Sequence, residues 1–195
     1  MPKKILVIPG QPQRRSYGGA LALAQAYIEG ARAAGAELQE LYLGELQFNA
    51  CANAGQSSPT ALEPEQARAQ ETIRWADHLV FVYPIWWGTI PALLKGLIER
   101  AFTEGFAVKV RGDSPWWDRL LKGRSARLIV TMNTPSFIYR WRFGRPGQNT
   151  MKKTILEFCG VKPARITEIG PARNSTDAKR QKWPGQACDL GKQLA

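Results

Sequence analysis

The stretch VFVYPIWWGTIPALLKGLIERAF, residues Val80–Phe102, changes its hydrophobic period half-way along. With His78 and Leu79 it opens as HLVFVYP, a continuous apolar run of the kind found in strands buried on both faces. Its second half, from Pro91, reads as a helix with proline in the first turn, where the missing N–H is no loss. Pro84, Ile85, Trp86, Trp87 and Gly88 lie between the two. A buried strand feeding a helix through a short loop is one step of a doubly wound α/β fold.

The same step recurs on both sides. Upstream, KKILVIP (Lys3–Pro9) is another continuous strand pattern. It leads to a helix over Ser16–Gly35 with Leu21, Ala24, Tyr27, Ile28 and Ala31 on one face. Ser16 is placed to cap that helix and Gly35 to close it. AELQELYL (Ala36–Leu43) follows as a second strand, parallel to the first. Downstream come a helix over Glu63–Ala76, a fourth strand at Ala126–Met132 and a helix at Thr150–Gly160. A fifth strand at Ala164–Gly170 and a final helix at Ser175–Leu194, interrupted near Pro184, complete the series. Five strands alternating with helices predict a three-layer α/β sandwich: a five-stranded parallel sheet with helices on both faces.

The totals suit this. A length of 195 residues, 44% of them hydrophobic, fits a single domain over 1–195 with a substantial core. No apolar run is long enough for an integral membrane segment. The opening MPKKILVIPG has too short an apolar core for a signal peptide, so a cytoplasmic location is expected. Cys51, Cys159 and Cys188 are odd in number and widely spaced, against both a disulfide framework and a metal site. The net charge of +11 raises the question of nucleic acid, but the basic residues are dispersed, with their densest cluster at Tyr139–Arg145. Without a motif for base readout, an anionic small molecule such as a phosphate-bearing cofactor fits this surface better than a nucleic-acid partner.

Ligands of such folds lie beyond the carboxyl ends of the strands. Three loops reach that edge. PGQPQRRSY, after the first strand, ends at a helix N-terminus, which suits phosphate, yet lacks both G-x-G-x-x-G and the Walker lysine. PIWWGTIP, after the third, offers Trp86 and Trp87 either for packing or as a wall for a flat aromatic ligand. TMNTPSFIY, after the fourth, offers Asn133, Thr134 and Ser136 as polar groups, with Tyr139 either a proton donor or a packing residue. A phosphate grip, an aromatic wall and a polar rim are the three parts that a flavin requires.

YPIWWGTIPALLKGLIERAF strongly resembles the Pro-x-x-Trp-x-x-x-Pro-Ala-x-Leu-Lys-Gly segment of flavodoxin-like NAD(P)H:quinone oxidoreductases. KKILVIPGQPQRRSYGGALA and LYLGELQFNA resemble the family's first strand with its phosphate loop and a following segment, and GFAV, TMNTPSFIY and ILEFCG match later stations in order, so the resemblance covers nearly the whole chain, and the pattern is more like the bacterial branch. The resemblance implies the flavodoxin-like sheet order 2-1-3-4-5, a bound FAD, with FMN as the alternative, NADPH or NADH as donor, a quinone-like acceptor and a homodimer. It implies cofactor contacts at Ser16 and Tyr17 near the phosphate, at Pro84, Ile85, Trp86 and Trp87 along the ring, and at Thr131, Met132, Asn133 and Thr134 on its pyrimidine side. Gln11 and Gly18 belong to the same set, although many members carry a histidine and an asparagine there. Tyr139 matches a catalytic tyrosine over the ring. The histidine that follows it in some members is missing; His78, the single histidine, reads as a packed residue.

The reading is therefore a flavoenzyme carrying out two-electron reduction of quinones by a ping-pong mechanism. A flavin-bearing regulatory subunit of a membrane transporter is the alternative. Two further expectations concern the surface. Phe106, Trp116 and Trp117 are expected to form an exposed aromatic dimer face, and Arg140, Arg142 and Arg145 to line the rim of the site and favour NADPH.

Overall fold

A computed structural model describes residues 1–11, 19–50, 62–112 and 114–194. Its sheet is β2-β1-β3-β6-β7, all parallel, formed by β1 (Lys4–Pro9), β2 (Glu37–Glu40), β3 (His78–Pro84), β6 (Ser125–Thr131) and β7 (Ala164–Ile169). Counted along the sheet strands alone, this is the expected order 2-1-3-4-5. The central strand β3 is buried at every residue, the reason its sequence does not alternate.

Alternate side chains of β3 enter two separate cores. Leu79, Phe81 and Tyr83 pack with Ala69 and Ile73 of α2 (Pro64–Trp75) and Leu94, Leu97 and Ile98 of α3 (Ala92–Ala101). Val80 and Val82 pack with Leu23, Tyr27 and Ile28 of α1 (Ala20–Ala33) and Ala187 of α6 (Asp177–Lys192). Helices α1 and α6 touch backbone to backbone. A Cβ on Gly191 would come within 2.1 Å of the Tyr27 carbonyl oxygen, and one on Gly30 within 2.0 Å of that of Cys188.

Four local expectations are corrected. Helix α1 starts at Ala20 with Gly19 as N-cap, so Ser16, outside the described residues, is not its cap. The second strand stops at Glu40 instead of continuing to Leu43, and a 3-10 turn takes Leu43–Glu45. Helix α6 runs through Pro184, which faces solvent, where water can serve the carbonyl freed four residues earlier. The segment after β6 is α4 (Ser136–Trp141), α5 (Pro146–Asn149) and a π-helical stretch Thr150–Glu157, closed by Gly160 at φ 100°.

The remaining strands, β4 (Val108–Val110) and β5 (Trp117–Arg119), form an antiparallel hairpin outside the main sheet. The Trp117 ring stacks on Phe158 at 4.2 Å between centroids, and its indole N–H donates to the Phe158 carbonyl at 3.0 Å. Phe106 is buried in the main core. The expected dimer face thus loses Phe106 and most of Trp117; Trp116, Val110 and Leu120 are what the hairpin exposes.

At the opposite, amino end of the sheet, His78 is buried and its Nδ1 lies 2.7 Å from the Ser125 hydroxyl. Burial, with Lys3, Arg127 and Arg165 nearby, lowers its pKa to about 3. It is a neutral packing residue far from the carboxyl edge.

Candidate functional site

Four strand ends meet at the carboxyl edge, and backbone bonds fix their spacing. Gly10 N–H donates to Val82 at 2.8 Å, Ile85 N–H to Thr131 at 2.7 Å, and Met132 N–H to Ile169 at 3.1 Å. Beyond β7, Ala172 N–H returns to the Met132 carbonyl at 2.8 Å, and Arg173 N–H to the Asn133 side-chain oxygen at 3.0 Å. Asn133 therefore ties the β6 loop to the β7 loop.

The tryptophan pair sits on a two-residue hairpin turn. Trp86 and Thr89 exchange both backbone hydrogen bonds, at 3.0 and 2.9 Å. The residues between them, Trp87 and Gly88, have φ of 49° and 75°, the type I′ pattern. Glycine adopts this conformation freely; a tryptophan does so at a cost of about 1–2 kcal/mol. Trp87 is nonetheless wholly exposed, and Trp86 is 45% exposed. Neither is core. Among the described residues nothing accepts a hydrogen bond from the N–H of Trp87 or of Gly88.

Tyr139 explains how the turn holds its shape. Its ring is buried, and its hydroxyl donates to the Gly88 carbonyl at 2.9 Å while accepting from the Gly147 N–H at 3.1 Å. Gly147 approaches so closely that a Cβ there would lie 2.7 Å from Thr89 Cα. Burial raises the pKa of Tyr139. Its proton is thus committed to a backbone carbonyl.

Two adjoining cavities flank the turn. The first, of about 490 Å³, is lined by Gln11, Pro84, Ile85, Trp86, Thr131, Met132 and Asn133, with Arg173 and Arg180 among its remaining walls. The second, of about 540 Å³, shares Ile85, Met132 and Asn133 and adds Trp87, Gly88, Thr134, Tyr139 and Phe143. Together they gather every candidate site residue within the described chain. Ser16, Tyr17 and Gly18 lie outside the described residues. Arg173 and Arg180 were missed in the sequence because they follow β7, whose loop carries no motif; only the fold brings it to this edge. Arg140, Arg142 and Arg145 line neither cavity. Arg140 and Arg142 point to solvent, and Arg145 pairs with Glu168 at 3.0 Å.

No group of three or more potential metal ligands occurs among the described residues, and none of their helices is long and apolar enough to cross a membrane. The chemistry on offer is that of a flat aromatic wall, a polar rim and two guanidinium groups around a cleft of ligand size.

The chain matches the model of a family described as having a flavodoxin-like fold over residues 3–193. It is 27% identical over 183 residues to an uncharacterized NAD(P)H oxidoreductase of Haemophilus influenzae, covering 90% of this chain and 88% of that one. It is 33% identical over 99 residues to the human ribosyldihydronicotinamide dehydrogenase [quinone], covering 48% of this chain and 41% of the human protein. The chain thus spans nearly all of the bacterial relative and under half of the human one. A crystal structure from Streptococcus mutans, Smu.1420, superposes with a TM-score of 0.81 at 28% identity, over 97% of this chain and 99% of that one. The resemblance read from the Trp86–Trp87 segment is borne out, and the chain belongs to the flavodoxin-like fold family.

Proposed function

We propose that this protein is a flavin-dependent NAD(P)H:quinone oxidoreductase. The carrying observation is the exposed Trp86–Trp87 wall held between two adjoining cavities at the carboxyl edge. An indole kept in a costly conformation in full contact with water does nothing for the fold, so its use lies in what it touches. The relatives named as oxidoreductases support the same reading.

The residues fit a flavin. The open side of the I′ turn leaves room for a ring, since a Cβ on Gly88 would meet only Pro146, at 3.9 Å. When bound, a flavin would accept a hydride from NAD(P)H and pass it to a quinone-like acceptor, in two alternating half-reactions at one site. The chain supplies position and electrostatics. Pro84, Ile85, Trp86 and Trp87 would present the flat surface, and the N–H groups of Trp87 and Gly88 would donate to the polar edge of the flavin. Thr131, Met132, Asn133 and Thr134 bound the other edge, where donors favour negative charge that builds on reduction. Gln11, Arg173 and Arg180 close the first cavity, and guanidinium groups suit phosphate oxygens. Tyr139 acts as a positioning residue, fixing the turn through Gly88.

The absorption spectrum of the purified protein, followed by mass analysis of the released cofactor, tests the reading and separates FAD, which we favour, from FMN. A colourless protein that neither flavin reconstitutes would overturn it. Steady-state oxidation of NADPH and NADH with a soluble quinone then tests the reaction and its donor. We also propose a homodimer through the β4–β5 hairpin. Light scattering should give a mass well above the 21.7 kDa of one chain.

A further inference from the structure

Among the described residues, three that are not glycine adopt a left-handed backbone: Trp87, Arg145 and Leu194. Arg145, at φ 53°, follows Gly144 at φ 67°, and the two reverse the chain between α4 and α5. Glycine would adopt this conformation freely, so the strain at Arg145 is accepted for the sake of its side chain.

That side chain has a specific counterpart. Glu168 stands on the edge strand β7, on the face that Ala164 and Ile166 turn to the core. Its side chain is 15% exposed, and its Oε1 lies 3.0 Å from Arg145 Nε in an ion pair that is not an aligned hydrogen bond. A carboxylate so far out of water needs a cation beside it.

The pair lines neither cavity, yet it connects to the turn between them. Arg145 N–H donates to the Tyr139 carbonyl at 3.1 Å. Asn149 secures the corner, its N–H donating to the Arg145 carbonyl at 2.9 Å and its side-chain amide to the Gly144 carbonyl at 2.6 Å. The Tyr139 hydroxyl bridges Gly88 and Gly147, and Gly147 N–H also meets the Gly88 carbonyl at 3.2 Å. A continuous line of polar contacts thus runs from β7 to the turn after β3, two strands away, and ends beside Trp87.

We propose that Arg145 and Glu168 are positioning residues: their ion pair latches the α4–α5 corner to β7 and, through Tyr139, sets the Trp86–Thr89 turn that retains the cofactor. The last clause rests on the flavin reading above; the latch itself does not.

Hydrogen exchange, read peptide by peptide on the flavin-free chain, tests the latch, and flavin titration of the same proteins tests its consequence. Glu168→Gln should speed exchange in the peptides carrying Thr89 and Gly147 about two- to fivefold, the worth of one partly buried ion pair, and weaken flavin retention by a similar factor. Peptides from β1 and α1 should exchange as in the unmodified chain. Arg145→Gly relieves the backbone strain while removing the guanidinium, so it should do the same in a protein that stays folded. Glu168→Gln with Arg145→Gln should be no worse than Glu168→Gln alone, because the pair acts as a unit. Glu65→Gln, which breaks an exposed pair on α2, should change nothing. Unchanged exchange at Thr89 and Gly147 in Glu168→Gln would overturn the proposal. So would an equal rise in β1 and α1, which marks general loss of stability, or faster exchange at the turn with flavin retention intact. A chain that binds no flavin while its turn responds would support the latch and overturn the oxidoreductase reading instead.

Discussion

The chain contains the dipeptide Trp-Trp twice, and the two copies have opposite fates. Trp86 and Trp87 stand on a two-residue turn at the mouth of two cavities, with Trp87 in a left-handed conformation and wholly in water. Trp117, in the other pair, lies stacked on Phe158 with its indole N–H satisfied by a backbone carbonyl, while Trp116 projects from the hairpin. Identical side chains line a cleft in one place and pack against a ring in the other. The backbone makes the difference: a type I′ turn pushes its central residues outward, whereas a strand lays its side chain against the next layer.

Both tryptophan pairs take these positions only in the folded protein, whose stability depends on pH. His78 is buried neutral, with a folded pKa of about 3 against 6.5 when unfolded. Its contribution to stability is complete above pH 6.5 and is lost as pH falls from 6.5 towards 3, because the unfolded chain takes up the proton first. At most this amounts to about 4–5 kcal/mol. Urea unfolding at pH 7.5 and 4.5 should show a large loss of stability, and His78→Gln should flatten that dependence. An unchanged slope in the variant would show that other groups dominate.

The next largest effect tests the packed pair. Trp117→Ala should cost about 2 kcal/mol by removing the stack on Phe158 and the indole hydrogen bond. Flavin content and turnover of the folded fraction should stay near those of the unmodified chain. Loss of flavin from a folded Trp117→Ala protein would erase the distinction between the pairs.

Tyr139→Phe probes what holds the exposed pair in place. Removing the hydroxyl takes a partner from the Gly88 carbonyl and the Gly147 N–H, at about 1 kcal/mol. If Tyr139 positions the turn, the variant should weaken flavin retention while the pH profile of turnover keeps its shape. Disappearance of a basic limb from that profile would restore Tyr139 as a proton donor.

Trp87→Gly should have the smallest effect on folding, and of unusual sign. Glycine relieves the left-handed strain, so the flavin-free protein should be unchanged or more stable by up to about 1 kcal/mol. The same substitution should weaken flavin retention by about two- to tenfold, the worth of one ring stack. A destabilised Trp87→Gly protein with normal flavin affinity would place Trp87 with Trp117 as a packing residue.

The sequence alone determined the architecture, because a strand buried on both faces must read as an unbroken apolar run. His78–Pro84 did so to the residue. It also located the carboxyl edge and most of the candidate site, since Pro84–Trp87 and Thr131–Thr134 begin at the last residue of such runs. Only the tertiary structure decided what depends on neighbours distant in the chain. Burial of Phe106, the stacking of Trp117 on Phe158, the pairing of Arg145 with Glu168 and the arrival of Arg173 and Arg180 at the cleft are all of this kind. Hydrophobic period reports how one segment meets a core. It carries no record of which loop stands opposite, and that is what gives each tryptophan, arginine and tyrosine its role.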